Sequence, residues 1–284
     1  MTVPAWLPGR DGSRDPRVED PTNLYLVHFT GRALLPLALR IGLSANAVSL
    51  TGLAFGAGAA AAYFRWMDWR YACFGLGLCV AWLIADGLDG MIARAAGTAS
   101  ALGRFLDGIC DHAVFVLLYL SLAGSIGTKA AWALAVTAGA AHAAQATLYE
   151  GERTRFHRRI RGDAGGRAVR PSHNLLVRLY DGLAGSLDRL TAGFDECLKA
   201  AADPRAFGDA YGRRAAAPLR MMALLSNNVR VLIIFVACLA GDPRWFWILE
   251  LTILSLVLLV GILWLRVVEN QIVRECVTGV KRFP

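Results

Sequence analysis

The stretch DGLDGMIARAAGTASALGRFLDGICD, residues 86–111, places four aspartates inside a strongly apolar part of the chain. Asp86 and Asp89 are three residues apart and Asp107 and Asp111 are four apart, so each pair lies on one face of a helix. An ionisable group at membrane depth costs ~2.5–3.5 kcal/mol, which makes it a candidate functional residue. If the two helices are antiparallel neighbours, all four carboxylates converge on one point.

Four carboxylates at one point cannot all stay ionised without a compensating cation, and a hard divalent ion suits oxygen ligands. Side chains are absent where a ligand would approach the backbone, at Gly87, Gly90 and Gly103. Ala93 adds only a methyl group to the same helix face. Arg94 lies on nearly the same helix face, and a guanidinium binds phosphate oxygens in a two-pronged geometry. The stretch therefore predicts a metal-bridged pyrophosphate site at a membrane surface.

The pattern D-x2-D-G-x2-A-R-x8-G-x3-D-x3-D, with every fixed position filled, resembles the signature of the CDP-alcohol phosphotransferase (CDP-alcohol phosphatidyltransferase) family. The resemblance covers roughly residues 22–150. It implies an enzyme that transfers a phosphate-bearing alcohol from a CDP-alcohol to a second alcohol, releases CMP and works as a homodimer. It also implies that Asp86, Asp89 and Asp107 hold Mg²⁺ or Mn²⁺. Asp111 is then expected to be the general base, with or without a metal contact of its own.

The same resemblance implies a set of donor contacts to the cytidine diphosphate. Relatives often have Ser-Pro-Asn/Asp-x-x-Thr before the motif, whereas this chain has Ala45 in place of the proline and Ser49 in place of the threonine. For Asn46, Ser49 and Ser100, capping of a helix start is the alternative role. The expected donor contacts are Asn46, Ser49, Asp86, Gly90, Ala93, Arg94, Ser100 and Gly103.

The fold class predicted from hydropathy is an all-α integral membrane protein with six transmembrane helices. Each apolar run has about the 20 residues that a helix needs to cross a bilayer. The interrupted segment of residues 22–42 suits an N-terminal helix lying in the membrane interface, with a short first span as the alternative. The six predicted spans are Val48–Trp66, Tyr71–Arg94, Leu102–Gly127, Ala130–Tyr149, Leu219–Ala240 and Trp245–Leu265.

The distribution of Lys and Arg predicts the orientation in the membrane. The short turns at residues 65–70, 124–129 and 241–244 carry few positive charges, so both termini and the aspartate motif are expected to face the cytoplasm. In a bacterium the membrane would be the inner, or plasma, membrane. The net charge of +8 then reflects orientation and anionic lipid, and no nucleic acid partner is expected.

These predictions divide the chain into six regions. Apolar positions repeat at three- to four-residue spacing from Leu175 to Leu198, which predicts an amphipathic helix in the long segment after the fourth span. The regions are a flexible cytoplasmic arm (1–21), the interfacial helix (22–42), transmembrane helices 1–4 with the motif (43–150), a cytoplasmic insert (151–218), transmembrane helices 5–6 (219–266) and a cytoplasmic tail (267–284).

Two clusters of polar residues are candidates for the acceptor site. Arg153 and Arg155 belong to a group of arginines after the fourth span, where topology and contact with anionic lipid are the alternative explanation. Asn227 and Arg230 lie inside the fifth predicted span, where hydrogen bonding between helices is the alternative.

The donor expected from the resemblance is CDP-diacylglycerol, with glycerol 3-phosphate, serine, inositol or its phosphate, or choline as acceptor. A CDP-headgroup donor with a lipid alcohol as acceptor, as in aminoalcohol or sphingolipid-type phosphotransferases, would have the same motif. A divalent-cation transporter is a third hypothesis, because intramembrane carboxylates also form transport paths. The fixed glycine, alanine and arginine of the motif argue against transport.

Overall fold

The computed structural model describes residues 15–165 and 193–278, and every regular element within these ranges is a helix. The predicted all-α class is therefore confirmed for this part of the chain. The described residues form two compact units. Unit 1 consists of residues 20–143 and 226–253, and unit 2 of residues 15–19, 144–165, 193–225 and 254–278.

Ten α-helices are described, together with two π-helical turns and one 3₁₀ turn at Ala223–Leu225. A π-helical turn at Asn23–Val27 precedes α1, and another at Glu250–Leu254 joins α9 to α10. The helices are α1 (His28–Arg40), α2 (Ala45–Tyr63), α3 (Trp69–Ala95), α4 (Ala101–Ile126), α5 (Lys129–Ile160), α6 (193–200), α7 (Pro204–Met222), α8 (Asn227–Leu239), α9 (Arg244–Leu249) and α10 (Ser255–Thr278).

Polar caps fix where the helices around the aspartate motif begin. Ser44 Oγ accepts a hydrogen bond from the Ala47 amide (3.2 Å) before α2, and Ser100 Oγ accepts one from the Gly103 amide (3.0 Å) before α4. Between α3 and α4 the chain turns through Gly97, whose φ of +65° suits a residue without Cβ. The second aspartate pair therefore follows the first after a turn of only a few residues.

Helix α2 packs along both α3 and α4, and glycines permit the close approach. A Cβ atom built on Gly56 would overlap the side chain of Val114 on α4. A Cβ on Gly52 would lie 3.3 Å from Trp82 on α3. Small residues at such contacts let helix backbones approach each other. As a result α2 holds the two aspartate-bearing helices in one packed unit.

Four helices are long and apolar enough to cross a membrane, and α7 with α8 gives a fifth if the pair is counted as one span. The four are α2, α3, residues Phe105–Ile126 of α4, and the long helix Arg244–Thr278 that α9 and α10 form together. These helices fit an integral membrane protein, but the predicted number of six is not confirmed. The predicted fourth span lies in α5, where His142, Gln145 and a scarcity of large aliphatic residues lower the hydropathy.

The fifth predicted span, Leu219–Ala240, is not one continuous helix. Helix α7 ends at Met222, and α8 starts after Ser226, whose hydroxyl caps the Val229 amide at 3.4 Å. The same hydroxyl donates to Asp20 Oδ2 at 2.8 Å. The sequence pattern placed these polar groups inside a span, whereas the structure uses them to start a helix.

The N-terminal residues differ from one another in their packing. Of the predicted flexible arm, residues 15–19 belong to unit 2, where Val18 is buried and Arg17 bonds Asp209 at 2.8 Å. Residues 1–14 lie outside the described part. Helix α1 exposes Phe29 and Leu37 and buries Ala38, which suits an interfacial helix, although its position in the membrane stays a prediction.

The predicted insert and tail also contain helix. Helix α5 continues to Ile160, past the predicted end of the fourth span, and α10 continues to Thr278, well into the predicted tail. Of the predicted amphipathic helix, residues 193–198 form part of α6, and the residues before 193 lie outside the described part.

Candidate metal and nucleotide site

Three of the four aspartates lie together in unit 1. Asp86 on α3 and Asp107 and Asp111 on α4 each offer a carboxylate oxygen, and these oxygens all lie within 4.8 Å of one another. All three side chains are half-buried. Oxygen ligands at this separation fit a hard divalent cation such as Mg²⁺ or Mn²⁺. The donor set therefore fits the metal that the sequence predicts.

Asp89 joins the same cluster from a more buried position. Its carboxylate is in hydrogen-bonding contact with Asp107, and Asp107 is also in contact with Asp86. The hydroxyl of Ser49 on α2 donates to Asp89 Oδ2. Asp89 is thus tied both to α2 and to α4, and the four aspartates form one connected group.

Asp111 has a partner that sequence reasoning missed. The indole Nε1 of Trp82 on α3 donates to Asp111 Oδ1 at 3.2 Å. Trp82 precedes Asp86 by four residues, so it lies one helical turn away on the same face. That spacing was the available signal, but an aromatic residue in an apolar helix is usually a packing residue.

Two smaller groups contain the other predicted donor contacts. A Cβ on Gly90 would lie 3.1 Å from Nη1 of Arg94, so the absent side chain makes room for the guanidinium. A Cβ on Gly103 would lie 3.2 Å from Ser100 Oγ and 3.6 Å from Asn46 Oδ1. Asn46, Ser100 and Gly103 are therefore neighbours at the starts of α2 and α4. Ala93 is half-buried on α3.

The predicted acceptor residues of unit 2 have acidic partners. Arg153 bonds Glu150 at 3.0 Å and Glu19 at 3.3 Å. Arg155 pairs with Glu152 at 2.7 Å. Within this arginine group, Arg158 and Arg159 likewise pair with acids of α6 and α10. Acidic side chains from elsewhere in unit 2 thus offset much of the positive charge that the sequence shows here.

The other two predicted acceptor residues lie on α8 in unit 1. Arg230 is fully buried and forms an ion pair with Glu250 (Nη2 to Oε1, 3.1 Å). Asn227 is in the first turn of α8, beside the Ser226 cap. The guanidinium of Arg230 therefore connects α8 to the segment that carries Glu250.

An apolar cavity of about 260 Å³ lies between α4 and α5, starting at the residue after Asp111. Its deep wall is formed by buried Phe115, Tyr119 and His142, and its rim by exposed residues such as Val136. The residues that line this cavity are mostly apolar, and the nearest of them in sequence to the aspartate motif is His112.

Comparison with known proteins identifies a family. The family model described as CDP-alcohol phosphatidyltransferase matches residues 43–168, which contain α2 to α5 and the complete aspartate motif. No curated protein and no solved structure matches the chain. This family implies transfer of a phosphate group from a CDP-alcohol to an alcohol and is generally dependent on a divalent metal. The resemblance predicted from the motif is thereby confirmed: residues 43–168 match the model of the CDP-alcohol phosphatidyltransferase family.

Proposed function

We propose that this protein transfers a phosphatidyl group from CDP-diacylglycerol to a polar alcohol and releases CMP, with Mg²⁺ or Mn²⁺ bound at the aspartates. The observation that carries the proposal is the cluster of Asp86, Asp107 and Asp111, whose carboxylate oxygens lie within 4.8 Å of one another. A family member with this cluster intact has the groups that the reaction needs.

The aspartates would hold the metal and prepare the acceptor. Asp86, Asp89 and Asp107 supply carboxylate ligands, and Asp111 can add a further one. Bound there, the ion would offset charge on the pyrophosphate and on the CMP leaving group. Asp111 takes the proton of the acceptor hydroxyl. The oxygen of that hydroxyl attacks the phosphorus that bears the diacylglycerol. The bond from that phosphorus to CMP then breaks.

The donor nucleotide is proposed to lie along the starts of α2 and α4 and the end of α3. Arg94, folded over Gly90, would bind phosphate oxygens of the diphosphate. Asn46, Ser100 and Gly103 form a neighbouring polar group where the nucleotide can contact side chains and backbone. Ser49 acts indirectly, since its hydroxyl bonds Asp89.

The membrane setting supports a lipid substrate. Four to five helices are apolar enough to span a bilayer, and α4, which carries Asp107 and Asp111, also lines an apolar cavity further along its length. We place the active site and both termini on the cytoplasmic side, because the basic residues cluster in the segments predicted to lie there. A homodimer is expected by resemblance to the family.

The acceptor is proposed to bind at the aspartates themselves rather than at the predicted arginines. Arg153, Arg155 and Arg230 are each paired with a glutamate, so their charges are already offset. An anionic acceptor would have to displace those partners, at a cost in free energy.

A donor assay tests the proposal. Purified protein with Mn²⁺ is incubated with labelled CDP-diacylglycerol and, separately, with CDP-choline or CDP-ethanolamine, each with a pool of acceptors. CMP release with CDP-diacylglycerol alone is the expected result. Release only with a CDP-headgroup would overturn the donor assignment and make a lipid alcohol the acceptor. Release from neither donor, with metal bound, would favour cation transport.

A further inference from the structure

Trp82 is a buried aromatic residue whose hydrogen bond reaches a motif aspartate. Its Nε1 donates to Asp111 Oδ1 at 3.2 Å, and the residue is only 2% exposed. An indole N–H in an apolar surrounding needs an acceptor, and a carboxylate is a strong one. The contact joins α3 to α4 at the group proposed to be the general base.

The indole ring has little freedom to move. The ring of Phe115 on α4 meets it edge-to-face, with centroids 5.4 Å apart. Gly52 of α2 also lies so close that a Cβ there would be 3.3 Å from the indole Cδ1. Packed between two helices, Trp82 holds its N–H in a fixed direction. The position of Asp111 Oδ1 is fixed in turn.

We propose that Trp82 is a positioning residue for transfer: its N–H orients the Asp111 carboxylate so that Oδ2 is directed to the acceptor hydroxyl. This inference rests on the proposed function, in which Asp111 takes the acceptor proton. A base must lie within hydrogen-bond reach of the proton that it removes. A carboxylate free to rotate would spend less time in that geometry, and small misplacements of reacting groups cost rate steeply.

Trp82→Phe tests the role because it keeps an aromatic ring and removes the N–H. We expect kcat for CMP release to fall by about tenfold to a hundredfold, with KM for the CDP-alcohol nearly unchanged. Trp247→Phe is the matched control. Trp247 is also fully buried in unit 1, but its Nε1 has no hydrogen-bond partner, so turnover should stay near that of the wild type.

A double-mutant cycle separates positioning from general loss of packing. If Trp82 acts through Asp111, adding Trp82→Phe to Asp111→Asn should lower the residual turnover no further, because the two residues act as a unit. A further tenfold loss in the double variant would overturn the proposal. So would equal losses in Trp82→Phe and Trp247→Phe.

A spectroscopic measurement tests the contact without turnover. In NMR spectra of ¹⁵N-tryptophan-labelled protein, the indole N–H signal that is missing from the spectrum of Trp82→Phe belongs to Trp82. The chemical shift of this signal should change in Asp111→Asn. An unshifted signal would overturn the contact. If Trp82→Phe turns over as fast as an active wild type, the positioning role of Trp82 is overturned and the proposed function is not. An inactive wild type would instead overturn the proposed function and this role with it.

Discussion

Arg230 and Glu250 form an ion pair in which both side chains are completely buried, with Nη2 and Oε1 3.1 Å apart. Glu250 lies in the π-helical turn before α10, and Arg230 lies in the first turn of α8. Tyr119 of α4 is in hydrogen-bonding contact with Glu250, and His142 Nδ1 lies 4.0 Å from Glu250 Oε1. Side chains from four segments of unit 1 thus meet at one buried polar cluster.

Removing one partner of this pair should destabilise the protein. Glu250→Ala leaves the Arg230 guanidinium buried without its carboxylate, which typically costs about 3–5 kcal/mol. We expect a clear drop in the thermal unfolding temperature in detergent. Arg244→Ala is the control, because the Arg244 side chain in the Asp242–Arg244 pair is 52% exposed and its loss should change stability little. Equal unfolding temperatures for the two variants would contradict the prediction.

Asp111→Asn should separate binding from turnover. The change keeps the size of the side chain but removes the base, so CMP release should fall by about a hundredfold or more. Mn²⁺ and CDP-alcohol should still bind, because Asp86, Asp89 and Asp107 remain. Equilibrium binding and CMP release on the same preparation measure both quantities. Turnover near that of the wild type would exclude Asp111 as the base.

Gly90→Ala should weaken donor binding without unfolding the protein. The added Cβ would lie 3.1 Å from Arg94 Nη1, the flexible end of a side chain, so the guanidinium must shift by a few tenths of an ångström. We expect a raised KM for the CDP-alcohol and an unchanged unfolding temperature. Gly77→Ala on the same helix is the control, since a Cβ there meets nothing within 4 Å. An unchanged KM in Gly90→Ala would argue against a phosphate role for Arg94.

In unit 2, Arg159→Ala should destabilise the contacts among α5, α6 and α10. Arg159 is fully buried, bonds Glu269 at 2.6 Å and Asp195 at 2.8 Å, and lies over the Phe194 ring. Its loss removes one arginine partner from each of these two acids and the packing over the Phe194 ring, so limited proteolysis should become faster in this unit. Arg213→Ala removes an exposed pair and should have little effect. Equal proteolysis rates would contradict the prediction.

The local spacing of the motif was enough to predict much of the candidate site. Separations of three and four residues place Asp86 with Asp89 and Asp107 with Asp111, and Gly97 provides the reversal between the two pairs. Such short-range geometry follows from the helix itself. The convergence of the aspartates could therefore be expected before any tertiary contact was known.

Long-range partners could not be predicted in the same way. The arginines after the fourth predicted span appear as a concentrated positive charge, because Glu19 and Glu269 are more than a hundred residues away in sequence. For Arg230 the sequence leaves two roles open, the acceptor site and a contact between helices, because nothing in the sequence pairs it with Glu250; the observed ion pair agrees with the second. The hydropathy pattern also predicts one continuous span across Ser226, because a single serine hardly lowers the mean hydropathy of the segment.

The central claim is that the aspartate cluster catalyses metal-dependent transfer from a CDP-alcohol. The most direct test is CMP release from CDP-diacylglycerol by the wild type and by Asp107→Asn, each with Mn²⁺ and with the metal chelated. Asp107 is the suitable choice, because its carboxylate contacts both Asp86 and Asp89. We predict release by the wild type with metal, loss of release on chelation, and little release by Asp107→Asn under either condition. Equal release by the two proteins, or release that survives complete chelation, would contradict the claim.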